Sequence, residues 1–195
     1  VDIERYLDEL ASDAPTPGGG SAATLVGAMA AALVAMVARI TRKNASYAAK
    51  ETDADALIAD ADAVRADLLD ARLADERAYA SVVAALALPK ANGEEKTERT
   101  ARVQAALAEA AAAPLHGAEL ALRVLRLASG AAELGNPHLT SDVACADGFA
   151  RASLAASAAN VRVNHAFLRD ANLVRSQEVA LGALESEAER LRPQR

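Results

Sequence analysis

The chain has 195 residues, a formal charge of −6, 53 alanines, 3% aromatics, no tryptophan and one cysteine. The acidic balance excludes nucleic-acid binding by bulk electrostatics. The lone Cys145 excludes an internal disulfide framework, and no Cys/His spacing of a zinc site exists, so no metal is expected. Alanine is the best helix former and strand-forming residues are scarce. The expectation is an all-α, single-domain bundle over residues 1–195, made of long, mostly antiparallel helices. No secretory signal is visible, which points to the cytoplasm.

Residues 2–12 read as a short amphipathic helix, with Ile3, Leu7 and Leu10 on one face and Asp2 placed to cap it. It stops at Pro15-Thr16-Pro17-Gly18-Gly19-Gly20-Ser21. Three consecutive glycines add no side-chain packing, and suit a backbone that turns tightly and presents bare N–H groups. Such a turn before a helix is either a tight interhelical bend or a seat for an anion or carbonyl oxygen.

A helix is expected from about Ser21 to the low forties, with Ser21 suited to early capping and no charge before Arg39. The uncharged run 22–38 is short for a membrane span and rich in Ala rather than Leu, so it reads as a core or dimer helix. Gly27, Ala31 and Ala35 lie four apart and make a smooth stripe for another helix. A helix apolar on all sides must be covered on all sides, which predicts a partner subunit. Arg42 and Lys43 close this helix, where they suit its dipole or meet an anionic ligand tail. Tyr47 and Lys50 follow closely.

Asp53 opens a long helix to about Ala87. Its apolar stripe runs Leu57, Ala61, Val64, Leu68, Ala71, Ala78, Val82 and Ala85, and Asp75 fills the gap in it. A carboxylate among Ala, Val and Leu is expensive to bury unless paired or used, and partial burial raises its pKa. The alternative is a solvated Asp75 with Arg72 as surface partner. Leu88-Pro89-Lys90 and Asn92-Gly93 form a turn. The next helix runs through Val103 and Leu107 to about Ala113, where Pro114 kinks it or opens a new segment to about Leu134. His116 reads as a packing or surface residue.

Gly135-Asn136-Pro137 is a firm break. Thr140, Ser141 or Asp142 then caps a helix to about Asp170. One of its stripes is small and polar: Asp142, Ala146, Ala150, Ser153, Ser157, Asn160 and Asn164. It is either the wall of a polar cleft or a helix contact with hydrogen bonds across it, and the asparagines need partners either way. Residues 173–193 form a last, peripheral helix, and the tail after it should fray.

Several of these clusters coincide in one family. The Pro15–Ser21 run before an Ala/Met-rich helix resembles the formimidoyltetrahydrofolate cyclodeaminase and methenyltetrahydrofolate cyclohydrolase family. So do Asp75 with Ala78-Tyr79, Val82-Val83 and Leu88-Pro89-Lys90, then Glu94-Glu95-Lys96 and Arg99. So do Gly135-Asn136-Pro137, Ser141-Asp142, Asn160-Val161 and Asn164. One stretch departs: the family's Thr-x-Gly-Lys-Lys-x-Tyr is here Thr41-Arg42-Lys43-Asn44-Ala45-Ser46-Tyr47.

The resemblance implies an all-helical homodimeric enzyme of folate one-carbon metabolism, with no cofactor beyond the tetrahydrofolate substrate. It implies Asp75 and Asp142 as catalytic carboxylates. It implies substrate contacts from Pro17, Gly18, Gly19, Gly20 and Ser21, and from Arg42, Lys43, Tyr47, Lys90, Asn136 and Asn164. The favoured reaction is hydrolytic opening of methenyltetrahydrofolate. The alternatives are cyclodeamination of formimidoyltetrahydrofolate and a non-catalytic folate-binding dimer. Neither nucleic acid nor membrane is expected as a partner.

Overall fold

A computed structural model describes residues 2–192. Among them are six α-helices and no strand: α1 (Ile3–Leu10), α2 (Gly19–Lys43), α3 (Glu51–Leu86), α4 (Gly93–Glu133), α5 (Thr140–His165) and α6 (Ala171–Arg190). Short 3-10 turns, Ala45–Lys50 and Pro137–Leu139, precede α3 and α5. The expected fraying tail falls on 193–195, outside the described residues.

Helix α2 is the axis of the bundle. Gly20 faces Asp75, Gly27 faces Leu68 and Ser153, and Gly117 faces Thr24 and Ser157. Asn136 bonds Thr41 at the far end. These levels make α2 antiparallel to α3 and α5, and parallel to the second half of α4. By length and composition α2 could cross a membrane, but most of its apolar window is buried inside the bundle. Alanines and valines of α2 pack there with Val64, Leu68, Leu122, Leu125, Val161 and Leu181. Small side chains let the helix axes approach closely, so dispersion contacts accumulate over long interfaces.

The α3 stripe is as read: Ala61, Val64, Leu68 and Ala71 are buried. Asp2 caps α1 through bonds from the Glu4 and Arg5 amides. Three expectations need correction. First, α2 begins at Gly19, and Ser21 is buried inside its first turn rather than capping it. Second, Thr140, Ser141 and Asp142 are not caps: Leu139 holds that position with no side-chain bond, and α5 ends at His165. The Gly27/Ala31/Ala35 stripe is, as expected, a close-packed face for other helices, here this chain's own α3 and α5. The small polar face of α5 is correspondingly a packing seam, with Ser153 and Ser157 buried, and not a cleft wall.

Third, Pro114 does not open a new segment: α4 is continuous through it. A proline lacks the N–H that would bond the carbonyl four residues earlier, here Ala110. Asn164 supplies the missing donor, its Nδ2 lying 2.8 Å from the Ala110 oxygen. An unpartnered buried carbonyl costs about 1–3 kcal/mol. Asn164→Leu should therefore lower unfolding free energy by roughly that amount. In a Pro114→Ala background, where the backbone N–H returns, the loss should shrink. Urea unfolding of the four proteins in the double-mutant cycle measures the coupling; strict additivity would refute the pairing.

Candidate active site at the start of helix α2

The chain enters α2 through Pro15–Gly18, which contains a cis Thr16–Pro17 bond. Gly18 is the N-cap and contributes no side-chain bond; the Ser21 amide of this first turn is met instead by the Asp75 carboxylate. Asp75 of α3 lies directly over this turn. A Cβ built on Gly20 would fall 2.3 Å from an Asp75 carboxylate oxygen, so only glycine fits beneath that carboxylate. Gly19 faces Asn160 of α5, whose Nδ2 is otherwise held by the Ala156 carbonyl.

Burial pushes the Asp75 carboxyl above its usual range, the neighbouring Glu76 charge adds to the rise, and the Ser21 amide opposes it. Arg72 is not its partner. Arg72 instead binds Glu76 at 2.9 Å, one helical turn away. Ser21 Oγ donates to Glu76 at 2.8 Å. The Tyr6 hydroxyl lies 2.9 Å from Ser21 Oγ, and since Ser21 gives its proton to the carboxylate, Tyr6 donates. Arg72 also stacks over the Tyr6 ring, 5.6 Å from its centroid. This network pins α1 against α2 and α3 beside Asp75. A cavity of about 400 Å³ lies along it, lined by Arg5, Tyr6, Arg72 and Glu76 among others, but not by Asp75 or the glycine turn.

Tyr6 and Glu76 were not anticipated. The signal for Glu76 was its spacing of four from Arg72, the favourable helical pairing distance, against three for Asp75. Glu76 sets the charge beside Asp75. Replacing it with Gln removes that repulsion and frees the Arg72 cation, and both changes lower the Asp75 pKa. If Asp75 works as a carboxylate, the acidic limb of the pH–rate profile of Glu76→Gln should move to lower pH. A limb that stays in place or moves up would contradict the coupling.

The other predicted residues divide. Pro17 through Ser21 lie with Asp75, although the Ser21 hydroxyl is committed to Glu76. The Asn164 side-chain amide is committed elsewhere: its Nδ2 donates to the Ala110 and Asn160 carbonyls. Asn136, Asp142, Arg42, Lys43 and Tyr47 lie at the opposite end of the bundle. From Gly20 to Thr41 is 21 helical residues, about 30 Å at 1.5 Å per residue. Asn136 is a staple there, donating to Thr41 Oγ1 and accepting from the His138 amide. Arg42 is paired with Glu51 and Asp55 on α3. Lys43 is exposed and makes no ion pair among the described residues. Lys90 is exposed in the α3–α4 turn, beyond Asp75.

A second cavity, of about 670 Å³, lies at that far end between α4, α5 and Leu191. It is mostly apolar, and like the smaller cavity it is not lined by Asp75. The Asp75 site is distinguished by chemistry rather than size: a partly desolvated carboxylate seated on the first turn of α2, with the Ser21 amide bonded to it.

A family model described as formiminotransferase-cyclodeaminase matches residues 2–182. The chain belongs to this family. Among formiminotransferase-cyclodeaminase relatives, the methenyltetrahydrofolate cyclohydrolase of Methylorubrum extorquens is 39% identical over 186 residues, covering 95% of this chain and 89% of that protein. The formimidoyltransferase-cyclodeaminase of Rattus norvegicus is 32% identical over 141 residues; the match spans 72% of this chain and 26% of the rat protein. The crystal structure of formiminotetrahydrofolate cyclodeaminase from Thermotoga maritima superposes with a TM-score of 0.87 at 29% identity, covering 98% of this chain and 91% of that one. These named family members are enzymes.

Proposed function

We propose that the protein is a 5,10-methenyltetrahydrofolate cyclohydrolase, acting at Asp75 over the Gly18–Ser21 turn. The observation that carries the reading is the Asp75 carboxylate held, half-desolvated, against the start of α2. The cyclohydrolase relative, matched over nearly its whole length, supports this choice of reaction.

The methenyl carbon bridges N5 and N10 and carries positive charge. A carboxylate beside it stabilises that charge, more strongly in a desolvated site than in water. Water attacks the carbon, and Asp75 accepts the proton as the C–O bond forms. The tetrahedral adduct collapses by breaking the carbon–N5 bond, and the proton passes to N5. The product is 10-formyltetrahydrofolate. Amides of the Gly18–Ser21 turn hold a polar group of the pterin. Asp142 is the second carboxylate, and Lys43 and Arg42 answer the anionic glutamate tail; lying at the far end of α2 from Asp75 in one chain, they reach this site from the second subunit of the homodimer. Lys90, exposed beyond Asp75, joins them from the same chain, and charge-assisted bonds are the stronger kind.

We assign the protein to the cytoplasm as a homodimer of single-domain subunits, with neither nucleic acid nor membrane as partner. Tetrahydrofolate itself carries the carbon, so the reading assigns no metal or further cofactor. The second reading is cyclodeamination, in which N10 attacks a formimino carbon and ammonia leaves. It is favoured by the match to the Thermotoga maritima structure.

Purified protein assayed on both substrates decides. Faster loss of methenyltetrahydrofolate absorbance than the spontaneous rate, with 10-formyltetrahydrofolate formed, is the expected result. Ammonia release from formimidoyltetrahydrofolate with the higher kcat/KM would transfer the assignment to the second reaction. Silence on both would refute an enzyme of either kind.

A further inference from the structure

We propose that Asn160 reads the lactam edge of the pterin, the N3–H and C4 carbonyl next to N5, and so sets which ring the site accepts. This rests on the folate reading above and names the group that recognises its ring. The small polar seam of α5 leads to it. Ser153 faces Gly27 and Ser157 faces Gly117, and both serines are buried. The next residue of the seam, Asn160, is half-buried and faces Gly19, beside the residue that Asp75 covers. Asn164, one turn further on, is not available, because its Nδ2 is held by two carbonyls.

An asparagine amide offers two N–H donors and an oxygen acceptor. Here one N–H is used, Nδ2 donating to the Ala156 carbonyl at 2.8 Å. That bond fixes which end of the amide is nitrogen. The second N–H and Oδ1 have no partner among the described residues. What remains is a donor and an acceptor side by side, the complement of a lactam: Oδ1 accepts from N3–H, and Nδ2 donates to the C4 oxygen. A Cβ on Gly19 would lie 3.6 Å from Nδ2 and 3.7 Å from Oδ1, over both atoms, so a side chain there would screen the amide and glycine leaves it bare. Gly19 and Gly20 are neighbours, with Cα atoms about 3.8 Å apart. Asn160 flanks the first and Asp75 the second. On the substrate the C4 oxygen and the bridging carbon are likewise close neighbours, both beside N5. A ring with its bridging carbon at Asp75 thus presents its lactam edge to Asn160.

Two ligands test this. One is the 5-deaza analogue of tetrahydrofolate, which lacks the N5 needed to form the bridge. The other is its 4-amino counterpart, in which the lactam becomes an amino donor beside a ring-nitrogen acceptor. By calorimetry the wild type should bind the 4-oxo compound about tenfold or more tightly, because the 4-amino edge sets donor against donor and acceptor against acceptor. The bond to Ala156 opposes the amide flip that would relieve this. Asn160→Ala should weaken the 4-oxo compound by about tenfold or more and bring the two affinities near equality. Asn160→Asp, which keeps the shape but accepts at both positions, should shift the preference toward the 4-amino compound.

Gly19→Ala keeps Asn160 but covers it. The added Cβ makes contacts of ordinary length, so Tm should hold while KM for the folate substrate rises several-fold. A wild type that binds the two compounds equally, a preference that persists in Asn160→Ala, or an unchanged KM in Gly19→Ala overturns the proposal. Binding of neither compound by the wild type would refute the folate reading and this inference with it, whereas tight, equal binding of both refutes this inference alone.

Discussion

Asp75→Asn should lower kcat on the folate substrate by about 10²–10⁴-fold, the usual contribution of a positioned proton-transfer group. The amide keeps the shape and most of the packing over Gly20 but can neither carry the charge nor take the proton. The protein should remain folded. The carboxyl pKa is raised in the folded state, so the native protein binds this proton more tightly than the unfolded chain. Its contribution to stability is therefore present at low pH and is lost as pH rises through the folded value. At neutral pH the charged form is a burden that Asn removes. Thermal unfolding at neutral pH should show Asp75→Asn no less stable than wild type. Equal turnover by the two proteins would remove Asp75 from the chemistry. Gly20→Ala should act in the same direction by pushing the carboxylate off the turn, since its Cβ would overlap the Asp75 oxygens. A displacement of an ångström at a reacting group costs about a hundredfold.

The largest loss of stability should come from Gly27→Leu. A Cβ at this position would meet Ser153 Oγ at 2.7 Å and Leu68 Cδ2 at 3.1 Å, so α2 would have to part from both α3 and α5. Leu68 is fully buried and cannot swing aside. Overpacking of a close-packed core typically costs about 1–3 kcal/mol, and a helix-spacing glycine lies at or above that upper end. For a chain of this size, roughly 3 kcal/mol corresponds to a fall in Tm of about 10 °C. Calorimetry of the variant measures it. The effect is on folding of the subunit, because this face is already filled within one chain. An unchanged Tm would show that α2 is not seated as described.

The helical class, the α3 stripe and the anomaly of Asp75 were legible because each is a property of one helix and its period. Asp75 could be singled out since it interrupts a stripe otherwise made of Ala, Val and Leu. What periodicity does not carry is the level at which one helix meets another. Asp75 and Asp142 look like partners along the sequence, yet antiparallel pairing puts them at opposite ends of the bundle. The path of α4 through Pro114 was hidden for the same reason: the donor that rescues the Ala110 carbonyl comes from Asn164, 54 residues later. The hydroxyl of Ser21 suggested a cap. Its actual partners, Tyr6 and Glu76, come from α1 and α3, which no local rule brings together. The third glycine also had a cause outside its own turn, the carboxylate lying over it.

The account stands most directly on where a folate sits. A non-reacting reduced folate titrated into isotopically labelled protein, followed by amide chemical shifts, locates it. The expected result is saturable movement of the Gly19, Gly20 and Ser21 amides and of the residues flanking Asp75. Shifts confined to the cavity lined by Ala128, Gly135, Val143 and Leu191, with those amides unmoved, would contradict it.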